Sequence, residues 1–267
     1  MSHPTPGEVF VWWMECVSPS PALTARWRAC LDEAELAKAD HFHFEVDRST
    51  YLAAHWLLRN ALTALAGLPP QSWRFTVRSH GKPDVDADLG LPGLQFNLSH
   101  TRGFVACAVS IADSVGIDVE ALSRHPDLDV ADRFFSPREV AILRAMPPAR
   151  QPETFLRFWT LKEALIKATG EGLSRALDSF SFSLDPVSIR FHPDDSDLPA
   201  LWSFIEHRPT QGHLLALAVR HARLAPLRIA MARVEADGVV ARSDLSPFTA
   251  RPAGAHQPVA ALSRRER

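Results

Sequence analysis

The 267 residues carry a net charge of −2, with 46% hydrophobic and 22% charged side chains, a balance that suits a soluble globular chain of one large domain or two small ones. That charge excludes global steering toward nucleic acid or an anionic membrane, so any polyanion site has to be local. The longest apolar runs, such as Leu214–Val219, are far too short to span a bilayer.

The opening MSHPTPGEVF lacks the basic start and apolar core of a secretory signal. The first strand is predicted at Val9–Met14 (VFVWWM), and a helical stretch with mixed faces at Thr24–Lys38. The three cysteines, Cys16, Cys30 and Cys107, are widely spaced and odd in number, which points to reduced thiols in the cytoplasm and away from a disulfide frame or zinc cluster. A stronger helix is predicted over Asp47–Ala66, where Tyr51, Leu52, Trp56, Leu58, Leu62 and Leu65 recur at helical spacing before Gly67 and Pro69-Pro70 stop it. Trp73–Arg78 alternates like a strand, and Ser79–Pro83 reads as a turn. Two further strands are predicted at Phe104–Ser110 and Val115–Val119.

A second cycle begins with Ser136-Pro137-Arg138-Glu139, which places a cap, a first-turn proline and an acid where a helix start wants them. A long helix over Pro152–Thr169 ends at Gly170 and Gly172. Strands follow at Ser179–Leu184, Ser188–Phe191, Trp202–His207 and His213–Arg220, with Asp194–Pro199 as a surface loop. The order helices-then-strands therefore occurs twice, and two similar α+β halves are expected to meet near residues 112–122. The corresponding division is 1–114 for the first half, 115–223 for the second and 224–267 for an extension. From about Ser243 the chain mixes Ser, Pro, Ala and Arg and ends SRRER; so little apolar surface predicts a poorly ordered, solvated tail.

Four segments carry chemistry. In Gly116-Ile-Asp-Val-Glu120 the strand alternation puts Asp118 and Glu120 on one face, about 7 Å apart. Like charges so placed suit a hard cation, and equally suit a solvated strand face. On the long helix, at about 100° per residue, Lys162 falls among Phe155, Phe158, Trp159 and Ile166, with Glu163 at the edge of that arc. This reads as a cleft wall, or as an ordinary surface pair of Glu163 with Lys167. Phe96-Asn-Leu-Ser-His-Thr101 offers Ser99, His100 and Thr101 as phosphate donors, or is turn chemistry before a strand. A Ser99–His100 nucleophile pair is disfavoured because neighbours on extended backbone point apart, and no G-x-S-x-G elbow is present. Gly81-Lys82-Pro83 is not a P-loop, but Lys82 on a rigid turn can set a charge at a phosphate or stay solvated. His41, His43 and His55 read as helix and turn residues, not metal ligands.

In order and spacing these segments resemble the Sfp-type 4′-phosphopantetheinyl transferases. The resemblance rests on Gly81-Lys-Pro83, Phe96-Asn-Leu-Ser-His100, Gly116-Ile-Asp-Val-Glu120, Arg133-Phe-Phe-Ser136, Phe158-Trp-Thr-Leu-Lys-Glu-Ala164 through Ile166-Lys167 to Gly172-Leu-Ser174, and Leu177-Asp-Ser-Phe180. It covers roughly residues 9 to 220.

The resemblance implies an α+β pseudo-dimer with coenzyme A in the cleft between its halves, and a monomer that binds neither nucleic acid nor membrane. It implies a magnesium ion on Asp118, Glu120 and Glu163. Lys82, Ser99 and His100 match phosphate-holding positions, Lys162 and Lys167 match basic residues near the pyrophosphate, and Lys38 matches a further 3′-phosphate contact. Many relatives carry arginines where this chain has Thr50 and His55, which leaves Arg48 or Arg78 to compensate. The implied reaction moves phosphopantetheine from coenzyme A to a serine of an apo acyl or peptidyl carrier protein, in fatty-acid, polyketide or nonribosomal-peptide synthesis. Glu163, directly or through water, would take the serine proton, while Lys162, Lys167 and His100 stabilise the departing 3′,5′-ADP. Two rivals share the same carboxylates: a magnesium-dependent nucleotide pyrophosphate hydrolase, and a non-catalytic carrier-binding module.

Overall fold

Alternation in the first strand sets the layering of the whole molecule. The computed structural model describes residues 5–78, 80–193, 195–221, 227–238, 240 and 246–250. Strand β1 (Glu8–Glu15) sends Phe10, Trp12 and Met14 to one core and Val9, Val11 and Trp13 to another, as a period of two requires.

The single helical stretch expected over 24–38 is two helices, α1 (Pro21–Arg28) and α2 (Glu33–Asp40). They are separate because Asp32 stays extended and makes a reciprocal capping box with Glu35, which starts a new helix. Helix α3 (Glu45–Ala66) stops at Gly67, whose φ of 81° is the left-handed value that glycine adopts without strain. A small hairpin of β2 (Phe75–Val77) and β3 (Pro83–Val85) follows, shorter than the strand predicted over 73–78. The half closes with β4 (Leu94–Thr101) and β5 (Phe104–Ile111). The polar cluster from Phe96 to Thr101 is thus part of a strand, not a turn before one.

The second half repeats this plan. Its elements are β6 (Ser114–Ala121), α4 (Val130–Phe134), α5 (Pro137–Ala145), α6 (Gln151–Thr169), a hairpin of β7 (Phe180–Leu184) and β8 (Val187–Phe191), then β9 (Trp202–Thr210) and β10 (His213–Arg220). The expected cap at Ser136 is present, with both bonds of the box to Glu139. Strand order is β1-β5-β4 in the first half and β6-β10-β9 in the second. Each half places its opening strand beside its last one, covers the sheet with its long helix, and carries a small separate hairpin. This is the pseudo-dimer of α+β halves.

Three cores follow from the alternation. One lies between the first sheet and α1–α3, one between the second sheet and α4–α6, and one between the two sheets. The result is helix, sheet, sheet, helix in four layers.

The extension contributes two strands, and of the expected tail from about Ser243 only residues 246–250 are described. Strand β11 (Leu227–Arg233) runs parallel to β1, and β12 (Ser246–Ala250) runs antiparallel to β11. The open edge of β1 supplies unpaired N–H and C=O groups that recruit a strand. Leu227, Ile229 and Met231 then bury in the inter-sheet core. Strands β11 and β12 of the extension therefore belong to the first half's sheet. Residues 251–267, with the SRRER end, lie outside the described residues.

Candidate active site

The candidate site lies where the edge strands of the two sheets, β4 and β6, run side by side. No backbone ladder joins them. Ile117 N donates to Asn97 Oδ1 at 2.9 Å and Val119 N to Ser99 Oγ at 3.2 Å, so side chains of one strand satisfy the backbone of the other. This seam aims Ser99 at Asp118.

Helix α6 reaches the same place because of Gly116. A Cβ built there would lie 2.0 Å from Ala164 O and 2.4 Å from Ala168 N, so only glycine lets the helix backbone lie against β6. The close approach brings Glu163 and Lys167 up to Asp118 and Glu120, which share the helix-facing side of β6 as the alternation predicts. Lys167 Nζ donates to Asp118 Oδ1 at 2.6 Å and to Ser99 Oγ at 3.1 Å. Ser99 Oγ donates to the same Oδ1 at 2.9 Å. Asp118 Oδ2 is buried and has no hydrogen-bond partner among the described residues. Glu120 is buried and pairs with Arg124, half exposed at the rim.

The three carboxylates repel one another. Burial, then the Asp118 charge, pushes Glu120 up to about 7 against the pull of Arg124 and Lys167, with Glu163 adding to the rise. Burial and Asp118 also raise Glu163 above the ordinary carboxylate range, opposed by Lys167. Among the described residues no three Asp, Glu, His or Cys groups close into a cation cage. Magnesium does not require one, since it takes one or two carboxylates and completes its shell with waters and substrate phosphates. An orphaned buried carboxylate oxygen within a set of mutually repelling acids fits such an ion.

Other predicted residues are placed differently. Lys162 does not face this site. Its side chain is 0% exposed, ion-paired with Glu139 at 2.8 Å, and its Nζ donates to Leu177 O and Phe180 O at 2.7 and 2.9 Å. The apolar arc that contains Lys162 is the core-facing arc, and Glu139, the acid of the predicted capping box, is its partner. With its donors spent inside the second half, Lys162 has none left for a pyrophosphate.

Lys82 is also committed to the main chain: Nζ donates to Ala168 O at 3.0 Å and Val115 O at 3.2 Å. It caps the C-terminus of α6, where a cation meets the negative end of the helix dipole. Burial pushes it down to about 8, with the Arg78 charge adding to the fall, and the two carbonyls accept only from a protonated or N–H-bearing donor. Ser99 is engaged by the seam in the same way.

His100, by contrast, points away from Ser99 toward solvent, as alternation requires. Burial of its surroundings, then Lys167 and His55, hold it below the usual imidazole value. Lys38 lies 5.4 Å over the Tyr51 ring, which meets the His55 ring at 4.2 Å with a 38° tilt; among the described residues Lys38 has no ion-pair partner. His55 itself bonds Glu35 at 2.8 Å, and Glu35 also takes Arg59. Burial would raise Glu35, but His55, Arg59 and the Asp32 N–H hold it low. Arg48 is taken by Glu45 and Phe42 O, and Arg78 by Asp84. Thr50 is buried, donating to Val46 O and accepting from Gly103 N.

Sequence reasoning missed Asn97 as the seam acceptor, Glu139 as the counter-ion of Lys162, and Arg124 on Glu120. The first two are contacts between residues far apart in the chain with no local signature; only the capping box gave Glu139 away as special.

Comparison with known proteins agrees with this architecture. Residues 16–112 match the family model "4'-phosphopantetheinyl transferase, N-terminal", and residues 114–218 match "4'-phosphopantetheinyl transferase superfamily". The chain is 35% identical over 213 residues to 4'-phosphopantetheinyl transferase HetI of Nostoc sp., covering 79% of this chain and 87% of that one. It is 32% identical over 199 residues to 4'-phosphopantetheinyl transferase Sfp of Bacillus subtilis, covering 73% and 85%. A rat relative, L-aminoadipate-semialdehyde dehydrogenase-phosphopantetheinyl transferase, is 27% identical over 228 residues, covering 78% of this chain and 74% of its own. With both halves matched and the site at their seam, the chain belongs to the 4'-phosphopantetheinyl transferase superfamily.

Proposed function

We propose that this chain converts apo acyl or peptidyl carrier proteins to their holo forms, the holo-acyl-carrier-protein synthase type of reaction, with coenzyme A as donor and magnesium as cofactor. The carrier serine oxygen attacks the β-phosphorus of the coenzyme A pyrophosphate. The bond from that phosphorus to the bridging oxygen breaks, and 3′,5′-ADP leaves. The observation that carries this reading is the convergence of Asp118, Glu120 and Glu163 on Lys167, with one Asp118 oxygen left unpaired.

Asp118, Glu120 and Glu163 would hold the divalent cation. When bound, the cation neutralises pyrophosphate charge and stabilises the charge that develops on the leaving group. Glu163, beside Asp118 and Lys167, would take the serine proton, directly or through a water. Lys167, half-buried beside Asp118, supplies a positive charge to the phosphates. His100, held below the usual imidazole value by burial, Lys167 and His55, would donate an N–H to a phosphate oxygen. Lys38, over the Tyr51 ring beside His55 and without an ion-pair partner among the described residues, is a better candidate for the 3′-phosphate than Arg48 or Arg78, both already paired.

The test is mass spectrometry of purified apo-carriers incubated with the protein, coenzyme A and magnesium. A phosphopantetheine-sized gain that Glu163→Gln abolishes supports the reading. An unmodified mass across fatty-acid, polyketide and peptide carriers would refute it.

A further inference from the structure

Two basic side chains partly balance the acid set, and they are held differently. Lys167 is bound into the seam, bridging Asp118 Oδ1 and Ser99 Oγ, with its side chain 28% exposed. Arg124 stands at the rim, 48% exposed, and a guanidinium N–H donates to Glu120 Oε1. Among the described residues Glu120 is the one acid paired with Arg124, and Glu163 has no ion-pair partner. Three carboxylates against two cations leave one negative charge in excess.

The turn after β6 fixes where Arg124 acts. Leu122 N donates to Gly212 O at 2.8 Å and Arg124 N to Ala121 O at 3.0 Å. Leu122 also packs against the second-half core. The backbone is therefore anchored along the turn, and the guanidinium folds back over the last carboxylate of the strand. The resulting ion pair is weakly held, because water and salt screen a half-exposed guanidinium. It also leaves the acids under-compensated: with Arg124 in place Glu120 still rises to about 7, burial and the Asp118 charge outweighing the arginine. A magnesium ion on the same carboxylate carries twice the charge and sits about 2 Å from its ligand oxygen. Guanidinium and dication repel each other at such range, so they exclude one another from Glu120.

We infer that Arg124 competes with the divalent cation for Glu120, yields that carboxylate when the cation binds, and so sets how tightly the protein holds it. Arg124 is the side chain that yields because it is the more exposed of the two and has one partner to lose, whereas Lys167 is also held by Ser99. This rests on the cation reading of the site above. It makes Arg124 a positioning residue that tunes the acid set, neither a ligand nor a base.

Manganese(II), a hard cation that shares magnesium's oxygen ligands, reports binding directly through loss of its free-ion paramagnetic resonance signal, with and without coenzyme A. Arg124→Gln should tighten manganese(II) binding by about fivefold or more, a coupling of ordinary size between competing groups. Arg124→Lys, which keeps the charge, should stay closer to wild type. Magnesium should raise the melting temperature of Arg124→Gln more than that of wild type, and melts without cation confirm that the variant folds. Arg133→Gln removes a charge from the same half without touching Glu120 and should shift the affinity less than twofold. The gain in Arg124→Gln should persist at high salt, where a long-range field would be screened out. Equal or weaker manganese(II) binding in folded Arg124→Gln would overturn the competition, as would a gain that Arg133→Gln matches or that salt abolishes. Wild-type protein that binds no manganese(II) even with coenzyme A would overturn the cation site itself, and the competition with it.

Discussion

In the proposed reaction the carboxylate of Glu163 both holds the cation and takes the serine proton, and one substitution removes both roles. Glu163→Gln preserves shape and removes the base, so kcat should fall by about 10²–10⁴-fold while the melting temperature holds; turnover within tenfold of wild type would remove Glu163 from the proton-transfer step. The acid set also predicts a pH signature. Glu120 is raised from 4.5 to about 7 in the fold, so between those values the folded state binds more protons than the unfolded one, and stability falls as pH rises. Without divalent cation, the melting temperature should drop from pH 4.5 to 7 in wild type, and Glu120→Gln should flatten that slope. Added magnesium should stabilise the protein more at pH 8 than at pH 5. Lys162 belongs to a different account. Removing one partner of a buried ion pair costs about 3–5 kcal/mol, so Lys162→Met should lower the denaturation midpoint sharply with coenzyme A affinity intact. A stable Lys162→Met protein with weakened coenzyme A binding would return Lys162 to the phosphate site.

The seam between β4 and β6 and the bed of α6 govern the site at the level of elements. Gly116→Ala forces a methyl group to 2.0 Å from Ala164 O, and neither the strand nor the helix backbone can yield that far. It should cost at least about 3 kcal/mol and reduce activity together with stability, checked by denaturant titration beside turnover. The elements themselves were largely legible in the chain. Strand alternation at Asp118 and Glu120, the stop at Gly67, the Ser136 capping box and the long helix ending at Gly170 are local signals, set by neighbours in sequence. The break between α1 and α2 was missed because Asp32 and Glu35 make their box inside a stretch whose composition stays helical. The inward arc of α6 was found, but whether Lys162 on it faces core or cleft depends on Glu139, more than twenty residues away. Lys82 and Ser99 were recognised as special positions; that their polar atoms serve the α6 terminus and the seam is a property of tertiary neighbours.

Duplication with a clasp describes the molecule as a whole. Two halves of the same plan pack sheet to sheet, and the site forms only where their edge strands adjoin, so neither half holds Asp118, Ser99 and Lys167 by itself. The extension ties the end of the second half back to the first: Val234 N donates to Trp13 O, and Arg26 donates to Gly238 O at 2.7 Å. Its composition hid this, because a short apolar run such as Leu227–Arg233 has no partner visible in sequence until β1 is known to have an open edge. Ending the chain at residue 223 should therefore expose that edge and the inter-sheet core, giving aggregated protein or a much lower melting temperature. The central claim is that the seam passes phosphopantetheine to a protein acceptor and does not merely hydrolyse a pyrophosphate. Chromatographic measurement of 3′,5′-ADP released from coenzyme A, with magnesium and with or without an apo-carrier, tests it most directly. The account predicts release that depends on the carrier and matches the holo-carrier formed mole for mole; equal release without carrier would contradict it.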